Sequence, residues 1–340
     1  MFGLGAGLGL DLGTANVRVY VRGRGVALCE PSVAALDRES REIVAVGAAA
    51  REMLGRTPEH LVADRPLRHG VIADFTVCQG MVRRLLDKVC GSRRLLKPVV
   101  VVSNPQGATS VERRAVLEAA LAAGAKRAYA LEAPMAAAIG AGLPVGLPCG
   151  TMVLDIGAGA TDMAVISLGG IVVGETLRLG GDQMDQVIAR HLKRAHNLLV
   201  GERSAEEIKI GIGSAYPLQP EAKMAVRGRD LMTGLPQTVT VSSEEIREAL
   251  SEPIAAIVAR VRALLEQVPP ELASDIAHQG ITLTGGGALL RGMDRLLAAQ
   301  IRVPVQAPDD PMSCVVVGAG KYLDLMREFP AARAQPAVRA

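Results

Sequence analysis

The strongest constraint on how this chain folds is a short pattern that it carries twice. Leu10-Asp11-Leu12-Gly13 runs through Thr14-Ala15-Asn16 into the apolar stretch 17–21. Leu154-Asp155-Ile156-Gly157 runs through Ala158-Gly159-Ala160 into the stretch 161–166. Each copy reads as a strand, a tight turn of small residues and a second strand, with an Asp just ahead of the turn. A supersecondary unit repeated about half a chain apart predicts two lobes of common design with a cleft between them.

The residue types in the two turns suggest what the cleft holds. Small side chains leave backbone N–H groups open, and such a concavity suits phosphate oxygens. An Asp at the end of the preceding strand can hold Mg²⁺ directly or through water, because that ion takes oxygen ligands and keeps several waters. One such hairpin is as easily a plain turn. Two with an aligned Asp are much harder to explain that way. A third element, Ile281-Thr282-Leu283-Thr284-Gly285-Gly286-Gly287-Ala288-Leu289-Leu290, reads as a strand passing through glycines into a helix N-terminus, where a ligand can approach the backbone closely. Near 201–209 the sequence predicts a helix with Ser204 as its cap and Glu207 at the capping-box position. Glu206 and Lys209, three apart, share a face of it; alone they would be a solvated ion pair.

Between these motifs the chain alternates strands (17–21 and 99–102) with helical periodicity (111–123 and 244–268), which implies α/β layers. The 340 residues suffice for two domains or one bilobed one. Aromatics make up only 2% with no Trp, so the core must be built from Ala, Val, Leu and Ile. A net charge of +3 with no basic run interleaved with aromatics argues against nucleic acid as a partner. Cys29, Cys78, Cys90, Cys149 and Cys314 have no metal or redox spacing and read as small buried residues in a reducing cytosol. The N-terminus lacks a basic region and is not a signal peptide, and no stretch approaches the ~18 apolar residues of a membrane span. His191 and His196, five apart, read as surface or satisfied histidines. Residues 329–340, rich in Ala, Pro and Arg, read as a frayed tail.

Two phosphate hairpins and a late glycine-rich turn resemble the superfamily of actin, sugar kinases and chaperone ATPases. Within it the chain is identified as a member of the MreB family of bacterial cell-shape proteins. The identification rests on Asp11-Leu12-Gly13-Thr14-Ala15-Asn16, Glu30-Pro31-Ser32-Val33, Gly70-Val71-Ile72-Ala73-Asp74-Phe75, Val111-Glu112-Arg113-Arg114-Ala115, Pro134-Met135-Ala136-Ala137-Ala138-Ile139-Gly140, Pro269-Pro270-Glu271-Leu272 and Thr284-Gly285-Gly286-Gly287-Ala288-Leu289-Leu290-Arg291. The resemblance implies an actin-like, ribonuclease-H-like duplicated α/β fold of four subdomains around a central nucleotide cleft. Lobe I would cover 1–145, lobe II 146–320, and 321–340 would return a helix to lobe I before the tail.

It also implies ATP with Mg²⁺ in the cleft and head-to-tail, paired filaments attached to the inner face of the cell membrane, where they organise cell-wall elongation proteins. By position, Gly13, Thr14, Ala15 and Asn16 would meet phosphate together with Gly157, Ala158 and Gly159. Asp11 and Asp155 would serve the metal. Glu206, Glu207 and Lys209 would flank the nucleoside, with Gly285, Gly286, Gly287, Ala288 and Leu289 closing on it. Leu95 and Leu96, beside Arg93, Arg94 and Lys97, stand where the family carries a membrane loop, and Phe2 would add to it.

Two departures bear on catalysis. Where the family has Glu-Glu-Pro-Met, this chain has Glu132-Ala133-Pro134-Met135; where it has Gly-Gly-Gly-Thr-Thr-Glu, this chain has Gly157-Ala158-Gly159-Ala160-Thr161-Asp162. Ala133 and Ala160 thus replace both side chains expected to orient the attacking water, so binding is expected to persist and hydrolysis to slow. Glu132, Thr161, Asp162 or Gln106 are the candidate substitutes. A chain of this kind would suit a stable scaffold or copolymerise with an active paralogue. The alternatives are a small-molecule kinase of the superfamily, disfavoured by the missing base, and a non-filamentous recruiting ATPase of a pilus or division complex.

Overall fold

The computed structural model describes residues 7–91 and 97–328. Strands β1 (Gly7–Leu12), β2 (Asn16–Val21) and β3 (Gly25–Pro31) form an antiparallel meander. A small sheet of β4 (Ala34–Asp37), β5 (Ile43–Val46) and β6 (Leu61–Asp64) carries helix α1 (Ala48–Met53), and β7 (Leu67–Arg68) pairs with β8 (Val71–Ile72). Helix α2 (Phe75–Cys90) starts at Asp74, whose carboxylate accepts from the Val77 N–H. Strand β9 (Val99–Asn104) opens with four valines and is buried through most of its length, as suits a strand covered on both faces. Helix α3 (Ser110–Ala122) begins at a capping box between Thr109 and Glu112. Strand β10 (Arg127–Glu132) runs directly into helix α4 (Ala133–Gly140). The sheet order is β3-β2-β1-β9-β10, with β1, β9 and β10 parallel.

The second half repeats this plan. Strands β11 (Thr151–Ile156), β12 (Thr161–Ser167) and β13 (Gly170–Leu177) form the meander, followed by helix α5 (Gly181–His196). A side sheet of β14 (Leu198–Leu199), β15 (Lys223–Asp230) and β16 (Pro236–Ser242) flanks helix α6 (Glu202–Ile212). Helices α7 (Ser243–Ala249), α8 (Ser251–Leu265) and α9 (Pro270–Gln279) lead to β17 (Ile281–Thr284), a 3₁₀ turn at Gly286–Leu289, helix α10 (Met293–Ile301) and β18 (Val305–Gln306). The order β13-β12-β11-β17-β18 matches the first sheet strand for strand. The duplicated α/β architecture expected from the repeat is therefore present, and each lobe has its own apolar core.

Three local expectations are corrected. The periodic stretch 244–268 is two helices, because Leu250 closes α7 and Ser251 opens α8. Helix α6 starts at Glu202 with Gly201 as its cap, so Ser204 lies inside it and makes no capping bond. Cys29 is exposed, unlike the buried Cys78 and Cys314.

A third cluster joins the lobes. It packs α4, nearly all alanine and apolar, against Val153, Ala164 and Ile166 of the second sheet and against the final helix α11 (Cys314–Glu328). A methyl group on Gly140 would overlap the Cys314 carbonyl, and one on Gly318 would overlap the Ala136 carbonyl, so α4 and α11 cross in backbone contact. That helix begins at Cys314 rather than near 321 and also covers β1, where Gly9 abuts Gly320.

Candidate functional site

The two hairpin turns meet face to face. Hairpin register places Leu12 opposite Val17 in one and Ile156 opposite Thr161 in the other, so Gly13–Asn16 and Gly157–Ala160 form equivalent turns. Thr14 Oγ1 accepts from the Gly70 N–H at 2.9 Å, and a side chain at Gly159 would overlap Thr14 and the His69 backbone. The second turn is held from behind by the start of α5: the Gly181 and Asp182 N–H groups donate to Gly157 and Ala158 carbonyls at 3.0 and 2.8 Å. Gly285, at φ 79°, lays the late glycine turn against the Ile156 carbonyl, where any side chain would collide.

Between these turns lies a cavity of about 330 Å³. Asp11 and Asp155 both line it; Asp155 is buried and Asp11 half-buried. Asp11 Oδ1 accepts from Ser103 Oγ at 2.8 Å, with Arg18 Nη1 3.9 Å from Oδ2. Burial pushes the Asp11 carboxyl up, and Arg18 and Ser103 oppose the rise. Asp155 Oδ1 accepts from Thr284 Oγ1 at 2.8 Å. Burial and the neighbouring Asp162 charge push Asp155 up to about 7. Asp162, directly opposite Asp155 in the hairpin, is pushed to about 6 by burial, although Thr176 and the Gln106 N–H hydrogen-bond it.

A family model of MreB/Mbl proteins matches residues 5–330. The chain is 47% identical over 323 residues to the cell shape-determining protein Mbl of Bacillus subtilis strain 168, covering 95% of this chain and 97% of that one. It is 49% identical over 324 residues to the cell shape-determining protein MreB of Escherichia coli K12, covering 94% and 93%. The crystal structure of MreB5 of Spiroplasma citri bound to ADP superposes with a TM-score of 0.91 at 36% identity, covering 96% and 98%. The chain belongs to the MreB/Mbl family. Its fold is that of an actin-like cytoskeletal protein.

Most MreB/Mbl positions expected at the site do line the cavity: Asp11, Gly13, Thr14, Ala15, Asn16, Asp155, Gly157, Ala158, Gly159, Glu206, Lys209, Gly285, Gly286, Gly287 and Leu289. Two do not. Glu207 pairs with Arg203 on the outer face of α6 at 2.9 Å, and Ala288 is absent from the lining. Lys209 Nζ is anchored by the Gly181 carbonyl and Asp185 Oδ1, each at 2.8 Å. Glu206 pairs across the cleft with Arg51 of α1 through Oε2 at 2.7 Å.

Ala133 and Ala160 both line the cavity and present only methyl groups. Thr161 is fully buried with its hydroxyl donated to the Leu179 carbonyl at 2.7 Å, and Glu132 pairs with Arg113 at 3.3 Å; neither lines the cavity. Neither therefore takes over from the alanines. His191 and His196 both bond Glu245 Oε1, at 2.8 and 2.6 Å, and are satisfied. Leu95, Leu96 and Phe2 lie outside the described residues. Among the described residues no helix is long and apolar enough to cross a membrane.

Sequence reading missed Arg18, Ser103 and Thr284, which face or bond the carboxylates, and Asn104, which lines the cavity. A signal for Arg18 was present: counting outward from the first turn puts it opposite Asp11, as the same count puts Asp162 opposite Asp155.

Proposed function

We propose that this chain binds ATP with Mg²⁺ in the interlobe cavity, assembles with copies of itself into filaments on the inner face of the cell membrane, and hydrolyses ATP slowly. The observation that carries the reading is the pair of matched turns facing one cavity, each with an Asp at its root that lines the cavity. Phosphate oxygens suit the turns' backbone N–H groups, and the apolar Leu289 offers a face for a base beyond Glu206 and Lys209.

The donor set fits magnesium. Asp155 and Asp162 are buried side by side, and a divalent cation would offset their mutual repulsion. Among the described residues no three acidic, His or Cys side chains gather closely enough to hold a metal unaided. That suits an ion bound by one or two carboxylates, waters and substrate phosphates. Asp11 and Asp155 would hold it, and it would supply charge neutralisation at the phosphates.

Family membership supports filament formation and membrane attachment as a reading, with Leu95, Leu96 and Phe2 as the proposed lipid contacts and wall-synthesis proteins or an active paralogue as further partners. Slow turnover follows from the methyl groups of Ala133 and Ala160, which cannot hydrogen-bond a water. Each missing group is expected to cost on the order of 10²–10³ in rate, and the two losses should not multiply because both act on one water.

Phosphate release from wild type, Ala133→Glu, Ala160→Thr and the double variant, at matched pelletable mass with lipid vesicles, tests the reading. The substitutions are expected to accelerate release while nucleotide affinity stays within a few-fold. A brisk wild-type rate that neither substitution changes would overturn slow hydrolysis, and absence of Mg²⁺-dependent ATP binding would overturn the site itself.

A further inference from the structure

Among the described residues three cationic side chains line the cavity, and protein groups already hold two of them. Lys209 Nζ is bound by the Gly181 carbonyl and Asp185, and Arg291 Nη1 donates to the Gly213 carbonyl at 3.3 Å. The third is Arg18. Among the described residues its guanidinium makes no hydrogen bond, and its ion-pair partner, Asp11 Oδ2, stands 3.9 Å away, beyond hydrogen-bond range. Only 11% of the side chain is exposed. None of its nitrogens is sealed in protein, so the unfilled donors open on the cavity. Drawing a guanidinium this far out of water with its donors unfilled is costly, and an acceptor entering the cavity would remove that cost.

Strand alternation puts Arg18 there. Val17 and Val19 of β2 point into the core of lobe I, so Asn16 and Arg18 share the opposite face, and both line the cavity. Arg18 follows the first turn by two residues and lies across from Asp11. Its charge also reaches the other lobe. Burial and Asp162 push the Asp155 carboxyl up, and Arg18 is among the groups that oppose the rise. The guanidinium therefore acts on both cavity carboxylates rather than on Asp11 alone. At the matching place in the second hairpin stands Asp162, so of the two turns only the first brings its own cation.

We propose that Arg18 donates to a phosphate oxygen of the bound nucleotide, giving the site a cation of its own, so that part of its nucleotide affinity needs no Mg²⁺. The assignment rests on the ATP-binding reading above. A planar guanidinium can meet two phosphate oxygens at once, and such charge-assisted bonds are roughly twice as strong as neutral ones. The backbone N–H groups of the first turn and Arg18 then grip phosphate from the lobe I side, and the carboxylates are left to the metal. Asp11 has a positioning part in this: from 3.9 Å it holds the guanidinium near without taking up its donors. A nucleoside without phosphate gains nothing from Arg18.

The test titrates full-length wild type, Arg18→Leu, Arg18→Lys, and Arg18→Leu combined with Asp11→Asn. The probes are a non-hydrolysable ATP analogue and adenosine, each with Mg²⁺ and with EDTA. In EDTA, Arg18→Leu is expected to weaken the analogue by about 10- to 100-fold, the range for a hydrogen bond to a charged group. Adenosine affinity is expected to stay within a few-fold, and Arg18→Lys to recover most of the loss. The double variant is expected to remain as weak as Arg18→Leu. Recovery in the double variant would overturn the proposal, because Arg18 would then serve only to offset Asp11. Equal analogue affinity of wild type and Arg18→Leu in EDTA would overturn it, as would a wild type that binds the analogue with Mg²⁺ and not at all without. Loss of adenosine binding in Arg18→Leu would overturn it in favour of a structural role. A wild type that binds the analogue under neither condition would instead sink the ATP-binding reading.

Discussion

The two phosphate-turn hairpins share a backbone but not a charge balance. In the first, Asp11 faces Arg18 across the strand pair and takes a hydrogen bond from Ser103. In the second, the position opposite Asp155 is Asp162, and the hydrogen bond comes from Thr284. The first hairpin is thus compensated within its own strands, whereas the second sets two carboxylates side by side, a pairing relieved by a proton or by a cation. Duplication supplied two equivalent turns, and one residue on each partner strand set a cation beside one Asp and a second carboxylate beside the other.

The largest effect should separate the two carboxylates. Asp155→Ala is expected to weaken Mg²⁺-dependent ATP binding by about 100-fold, and Asp11→Ala by about 10-fold, within the range seen when groups that support a bound metal are removed. Calorimetric titration with and without EDTA measures both, and equal losses would erase the proposed asymmetry.

A second effect is pH-dependent. Folded Asp155 keeps its proton to about 7, whereas the unfolded carboxyl releases it near the ordinary 3.8. Between those values the folded chain binds more protons, so nucleotide-free stability falls as pH rises, by at most about 1.4 kcal/mol per pH unit for this one group. Asp155→Asn is expected to flatten that slope in urea unfolding between pH 5 and 7. The Asp11→Asn change is expected to flatten it less, since Arg18 opposes the rise there.

The smallest effect concerns packing. Gly9 and Val153 occupy the same place in the repeat, but Gly9 lies against the backbone of α11 and Val153 is packed with α4. Gly9→Ala is expected to cost about 1–3 kcal/mol by overpacking, and Val153→Ala a similar amount by losing buried apolar surface. Chemical denaturation of both variants checks this, and a neutral Gly9→Ala would mean that α11 can lift off β1.

The repeat made the fold legible, because strand, small-residue turn and strand survive as a local pattern in each half. The late glycine turn was legible for the same reason: Gly285 and Gly287 sit where only glycine fits against β11. What was not legible depends on residues distant in sequence. Glu206 is visible as a polar helix residue, but its Arg51 partner lies 155 positions away. The Ser204 cap failed because Gly201 opened the helix one turn early by backbone conformation alone. Asn104 carries no motif, and its unpaired oxygen becomes apparent only once β9 is set beside the cavity.

The contact between Gly9 and Gly320 also sets a schedule for synthesis. Strand β1 (to residue 12) is made about 300 residues before the helix that covers it (from residue 314), so lobe I has an open face until α11 has been translated. At ribosomal rates of 5–20 residues per second the wait is roughly 15–60 s. During that time the apolar flank of β1 is exposed to whatever else is nearby, and the nascent chain needs either a chaperone or its own second lobe to shield it. Lobe II, whose central strand is covered by α4 rather than α11, is under no such delay. A protein truncated before Cys314 would therefore be expected to keep a folded second lobe and to aggregate through the first.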